Sequence, residues 1–363
     1  MATALVRCLA FGVGALLLGG CQRDESKATG DAAPDERYVV RGGVGPDGAV
    51  VEFGVVDGRI VPSSEIASGS TVVELGGRVV VPAFIDSHAH LSYYDVAADL
   101  PRGGIAAAVD FAAPLRSFEV TYPIPVRRAG PMLTSIGGYP TQSWGADGYG
   151  LELASVEEAP GAVDRLLAAG ATFIKAPLLG TLGLSDEMLE AVVTRAHERG
   201  VRVAVHATSA VDAARAIQSD IDILAHTPTE ALPEETLTAF GERCLVSTLA
   251  AFGGTAAQEN FRMLRARGAL VLYGTDLGNT RVPGIQPNEL QGLIGAGLSG
   301  AEIVRAGTSD PAEFWGFEEL GTLDAGKRAS FLVLDEDPTL NPLALATPHT
   351  IVWEGDVVSG SWP

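Results

Sequence analysis

The chain has 363 residues, 47% of them hydrophobic, enough for one large domain with a small satellite or for two domains. A formal net charge of −20 argues against nucleic acid as a partner, because its phosphates would be repelled. Three cysteines, with Cys8 and Cys21 near the N-terminus and Cys244 alone in the body, do not make a disulfide framework.

Residues 1–21 read as a targeting segment outside the fold. Arg7 gives a weakly basic start, and the apolar run 9–18 is too short for a comfortable transmembrane helix. The run ends in Leu18-Gly19-Gly20-Cys21, which resembles the lipobox of bacterial lipoproteins. That resemblance implies an exported protein whose Cys21 is lipidated and becomes the mature N-terminus. Gln22, where an Asp would signal retention, points by the same resemblance to the periplasmic face of the outer membrane. The membrane is then met only through the lipid. An ordinary secretory signal or an uncleaved anchor is the alternative. Residues 22–37, QRDESKATGDAAPDER, are polar without an aromatic and suit a flexible tether.

Short β patterns follow in 38–81. Segments 53–56 and 59–61 flank Asp57-Gly58, a two-residue hairpin signal. The C-terminal stretch 319–363 matches them, with a strand at 330–334 and a second hairpin whose turn is expected at Gly355-Asp356. Both chain ends are expected to build one small β-sandwich domain.

Between them, in 82–318, apolar segments alternate with helical patterns. The first, VVVPAFIDSHAHL, is read as a single strand from Val79 that closes in His88-Ala89-His90. Seven more follow at 105–110, 132–136, 171–175, 201–205, 221–225, 244–248 and 270–273. Helices are expected at 185–199, opening on a Ser185 cap, and at 211–217, 233–240, 255–267 and 299–306. Eight strands alternating with helices indicate an α/β fold, a (β/α)8 TIM barrel, whose functional residues sit at the carboxyl ends of the strands.

The residues closing those strands form a pattern. Strand one offers His88 and His90, which are two apart and so share a face. Strand four closes in Lys175, strand five in His206, strand six in His226 and strand eight in Asp276. Strands two, three and seven end without a comparable group. Four of the six histidines fall at strand ends, and Lys175 is the only lysine in the barrel. A lone Lys closing an apolar strand, in a chain that otherwise uses Arg, is a poor candidate for a solvated surface charge. His197 reads as a surface residue and His349 as a structural one.

These residues resemble the amidohydrolase superfamily, in the branch of imidazolonepropionase-like enzymes and Xaa-Pro dipeptidases. The likeness rests on VPAFIDSHAH, FIK, VAVHA, ILAHT, GTD and the C-terminal GTLDAGKRASFLVLDEDPTLNP. It implies two divalent metal ions, zinc being expected. His88, His90 and Asp276 would hold the more buried ion, and His206 and His226 the more exposed one. Lys175, carboxylated by CO2, would bridge them. A buried Lys has a lowered pKa, and once neutral it can form a carbamate. Two such ions can share a hydroxide and polarise a carbonyl, with Asp276 as the catalytic residue that moves the proton. The loop Ser135-Ile136-Gly137-Gly138-Tyr139 departs from dipeptidase relatives, which carry a His after the two glycines.

The substrate is expected to be a small molecule carrying an amide, a dipeptide or N-acyl amino acid. Tyr93, Tyr94, Tyr139 and Trp144 are candidate pocket residues, with ordinary loop packing as the alternative. Arg281 is a candidate clamp for a substrate carboxylate, unless it pairs with a local acid. Three other readings stay open: an ester, lactone or phosphotriester as substrate, a mononuclear cyclic amidine or imidazolone hydrolase, and an inactive ligand-binding lipoprotein.

Overall fold

The computed structural model describes residues 37–363. The expected leader with Cys8 and Cys21, and the tether up to residue 36, lie outside the described residues.

The chain begins with β1 (Arg37–Val44), β2 (Val50–Val56), β3 (Arg59–Val61), β4 (Thr71–Glu74) and β5 (Val79–Pro82). Asp57 and Gly58 both take positive φ, +49° and +73°, so β2 and β3 are joined by the turn their sequence calls for. The central region then runs β6 (Phe84–Ala89), β7 (Ile105–Asp110), β8 (Val126–Arg128), β9 (Met132–Ser135), β10 (Gly150–Leu153), α1 (Ala159–Ala169) and β11 (Ile174–Pro177). It continues through α2 (Asp186–Glu198), β12 (Val203–His206), α3 (Ala210–Gln218), β13 (Ile223–Leu224), α4 (Glu234–Phe240), β14 (Cys244–Val246), α5 (Thr255–Ala266) and β15 (Leu270–Leu272). Three helices close it, α6 (Pro287–Gly295), α7 (Gly300–Gly307) and α8 (Ser309–Trp315), before β16 (Phe331–Leu334), β17 (Thr350–Trp353) and β18 (Asp356–Gly360).

The two chain ends share one hydrogen-bonded sheet, in the order β18-β17-β16-β5-β1-β2-β3 with β4 on β1. The run Val79–Leu91 is therefore not one strand. β5 pairs antiparallel with β16, and the central strand β6 starts only at Phe84. Pro82 cannot donate to a ladder, and the chain changes sheets there. The last hairpin turns at Glu354-Gly355, with φ +47° and +92°, and Asp356 already pairs with Trp353. The turn sits one residue before the expected Gly355-Asp356 because both central residues must take positive φ.

The central strands are parallel. β6 pairs with β7 and β7 with β8, while β11 to β15 pair in sequence order. Backbone bonds also link the two extremes of this series: Ser87 N–H donates to Tyr273 O at 2.9 Å, and His90 N–H to Leu277 O at 2.7 Å. Helices α2 to α5 return each strand to the next, giving a TIM-barrel-like α/β fold. Ser185 caps α2 as expected, its side chain accepting from Met188 N–H. β6 and β7 are followed by 3-10 turns, Pro101–Gly103 and Leu115–Glu119, and by no α-helix. Pro114, Pro123 and Pro125 interrupt the second connection, and each removes a helical donor. Among the described residues no helix is long and apolar enough to cross a membrane.

Candidate metal centre

His88 lies in β6 and His90 one residue past its end. Their Nε2 atoms are 3.3 Å apart, as the two-residue repeat of a strand requires. The Nδ1 of His88 is 2.9 Å from the carbonyl oxygen of Ala225. A carbonyl only accepts, so Nδ1 carries the proton and Nε2 presents a lone pair. Asp276 faces both rings, its Oδ1 3.4 Å from His88 Nε2 and 3.0 Å from His90 Nε2. One donor atom from each of these three buried residues lies within 4.8 Å of the other two.

The turn after β15 is built to deliver Asp276. The residue takes φ +53°, which Asp tolerates better than most side chains. A Cβ on Gly274 would lie 2.4 Å from Val246 and 3.1 Å from the His88 Cβ, so only glycine fits between β14 and β6 there. Asp86 braces the same junction, accepting the N–H of His88 and of Thr275, each at 3.0 Å. Burial would raise the Asp276 carboxyl. The nearness of the His90 and His88 imidazoles outweighs it and holds the group below the usual carboxylate range.

Lys175 is the second residue of β11 and is fully buried, not at the strand's end as expected. Register places Pro177 beside His206 and Lys175 beside Ala204, two residues lower. A two-residue step is roughly 7 Å, about the reach of a lysine side chain, so a ligand at the level of the histidines has to start lower in the strand. Among the described residues Nζ has no hydrogen-bond partner, and it lies 4.8 Å from the centre of the Phe111 ring. Burial pushes the ammonium down to about 7, against the pull of Asp276.

His206 ends β12, and His226 follows β13 by two residues. The His226 ring centre lies 4.6 Å from that of His88 and 4.7 Å from that of His206. Burial holds His206 down to about 3 and keeps His88 and His226 well below the ordinary imidazole range. Neutral imidazoles are the form that binds metal. Four imidazoles, one carboxylate and a partnerless buried amine thus line one cavity of about 470 Å3. This donor set fits divalent cations and has no counterpart in ordinary core packing.

The expected pocket residues divide. Tyr139 stacks on His206 at 5.5 Å, Trp144 sits edge-on to His90 at 5.4 Å, and Trp144 Nε1 donates to the Tyr139 hydroxyl at 2.7 Å. Tyr93 and Arg281 also line the cavity. Tyr94 does not; it packs beneath the Arg281 guanidinium at 4.7 Å and donates to the Arg281 carbonyl. Arg281 has no acidic partner among the described residues. Phe252 was not legible in the sequence, yet its ring lies 4.4 Å from His226. It follows β14, one of the strands that end without a comparable group, and no motif marks it. His197 pairs with Asp222 at the surface and His349 with Asp335, outside the cavity.

Fold and site define a class, a TIM-barrel-like α/β protein with a metal-capable centre at the carboxyl ends of its strands. The amidohydrolase family profile matches residues 138–359, more than half of the chain. The chain belongs to that family and is a hydrolytic enzyme. An uncharacterized protein of Mycobacterium tuberculosis (strain ATCC 25618 / H37Rv) is 26% identical over 374 residues, covering 88% of this chain and 95% of its own. Among solved structures, an amidohydrolase superposes with a TM-score of 0.72 at 22% identity, covering 90% of this chain and all of that one. A Xaa-Pro dipeptidase with bound methionine in its active site gives 0.72 at 17%, covering 89% and 100%.

Proposed function

We propose that this chain is a binuclear metal-dependent amidase whose substrate is a dipeptide or an N-acyl amino acid. The observation that carries the reading is Lys175, a buried amine without a partner, facing neutral imidazoles and Asp276. His88, His90 and Asp276 would hold one cation and His206 and His226 the other, zinc being the expected metal. Lys175 as a carbamate would offer one oxygen to each. When bound, such a pair supplies an activated water and polarises the scissile carbonyl. The chain's own residues do the rest. Asp276, ionised and directed at the histidines, takes a proton from the attacking water and returns it to the leaving nitrogen. The aromatic walls, Tyr139, Trp144 and Phe252, exclude bulk water. Arg281, stacked on Tyr93 and Tyr94, receives a substrate carboxylate at the mouth. A mononuclear centre at His88, His90 and Asp276 is the second reading, favoured by how tightly those three converge.

Two further elements belong to the proposal. The bonds Ser87–Tyr273 and His90–Leu277 support a barrel closed between its first and eighth strands. The terminal sheet folds over itself as a sandwich, which is supported by Phe53 of β2 packing on Phe331 of β16 at 5.4 Å. The protein is held at the periplasmic face of the outer membrane through lipid on Cys21, a reading supported by the leader sequence alone.

The deciding measurement is metal per chain together with turnover of dipeptides and N-acyl amino acids. Wild type is expected to take up two cations. Lys175→Ala should lose activity and half or more of the metal, and Lys175→Arg should fail as well, because guanidinium carries no carbamate. Full occupancy and turnover in either variant would eliminate the bridging role.

A further inference from the structure

β14 ends without a metal-binding side chain, yet the turn that follows it touches the centre twice. Thr248 Oγ1 lies 3.1 Å from His226 Nδ1, and Phe252 covers the same imidazole. Thr248 takes φ +44°, a strained conformation for a β-branched residue. Something must hold this turn against relaxation. Its backbone accounts for part: Thr248 N–H donates to Gly274 O at 3.1 Å, and Phe252 N–H to Thr248 O at 3.0 Å.

The rest comes from α6. Glu289 is fully buried, and both its oxygens are spent on the turn. Oε1 accepts Leu249 N–H at 3.1 Å and Oε2 accepts Ala250 N–H at 2.6 Å. One helical step further along the same face, a Cβ on Gly292 would come within 2.7 Å of the Leu249 Cβ. The i and i+3 positions of one helix thus both serve this turn. A buried carboxyl placed where apolar residues would pack at less cost calls for a reason beyond packing.

We infer that Glu289 is a positioning residue for the metal centre. Through the turn 248–252 it fixes Thr248 as acceptor for the Nδ1 proton of His226, so that Nε2 presents its lone pair to the cavity under the Phe252 ring. The inference rests on the metal-site reading above, and its test has an arm that needs no metal. In the metal-free full chain, 15N-imidazole spectra should show His226 as the Nδ1–H tautomer. Glu289→Gln can accept only one of the two N–H groups, and its amide is set against the other, so His226 should become a tautomer mixture. Gly292→Ala keeps the carboxyl but pushes Leu249 aside and should do the same, which covers failure of the first variant to fold. Titration with Zn(II) against a competing chelator is the second arm. Glu289→Gln should weaken the cation held by His206 and His226 by roughly tenfold or more, while the cation held by His88, His90 and Asp276 changes less than about twofold. Thr248→Val should copy that selective loss, and the double variant should be no worse than either single one. A merely structural Glu289 would lower the melting temperature without favouring one cation over the other. An Nε2–H tautomer in wild type, an unchanged tautomer in both Glu289→Gln and Gly292→Ala, or parallel weakening of both cations overturns the inference. Wild type that takes up one cation but loses the Nδ1–H tautomer in Glu289→Gln would overturn the binuclear reading and leave the role of Glu289 standing.

Discussion

In the proposed mechanism Asp276 carries two duties, and they separate experimentally. As a ligand it is one group among several, so an amide in its place should cost only part of the metal affinity. As a proton carrier it cannot be replaced by an amide. General acid–base catalysis contributes on the order of 10²–10⁴-fold, and kcat of Asp276→Asn should fall by about that factor with KM changed much less. Metal content, kcat and KM measured on one amide substrate check this. An unchanged kcat in a metal-replete variant would mean that another group moves the proton. The six polar residues of the centre were legible one by one, because packing alone rarely puts histidines at the ends of apolar strands or a lone lysine within one. Their partners were not. Asp86, Thr248, Phe252 and Glu289 are ordinary residues in ordinary segments, and only their neighbours in space give them a role. Tyr94 shows the converse: its position beside Tyr93 promised a place in the cavity, and the turn of the loop put it under Arg281 instead.

At the scale of elements, the strands were clearer than the connections. Apolar β-branched runs mark buried parallel strands, whereas α1 continues a 3-10 turn and α8 follows α7 after the single residue Thr308, so neither has a boundary of its own in the sequence. The break at Pro82 was hidden because the chain stays apolar from Val79 through Ile85, across the end of the terminal-sheet strand and the start of the central one. The contact of β14, β15 and β6 around Gly274 yields a test of how closely the elements are fitted. Gly274→Ala places a methyl against Val246 and His88 with no room for it. It should cost about 1–3 kcal/mol of stability, measured by denaturant unfolding, and it should weaken metal binding because His88 moves. A variant as stable and as metal-competent as wild type would show that the junction is looser than its geometry implies.

For the whole molecule, the chain ends matter in two ways. Their shared sheet ties residues 37–82 to residues 331–360 across the full length of the sequence. Ahead of it, the leader predicts a lipid anchor at Cys21. In a bacterial host, Cys21→Ala should shift the protein to the soluble exported fraction, read by fractionation and blotting. A full-length variant that stays on the membrane would identify the leader as a membrane-spanning anchor. The sequence by itself determined the alternation of strands and helices, the set of metal-capable side chains and the expectation of export, because each is a local pattern of residue type and spacing. Only the tertiary structure decided that Lys175 starts two residues below the histidines, that Asp276 turns back onto His88 and His90, and that a carboxyl on α6 holds the turn beside His226. Those are distances between segments far apart in the chain. They follow from strand register and from the packing of one element on another, and no residue pattern within a single segment encodes either.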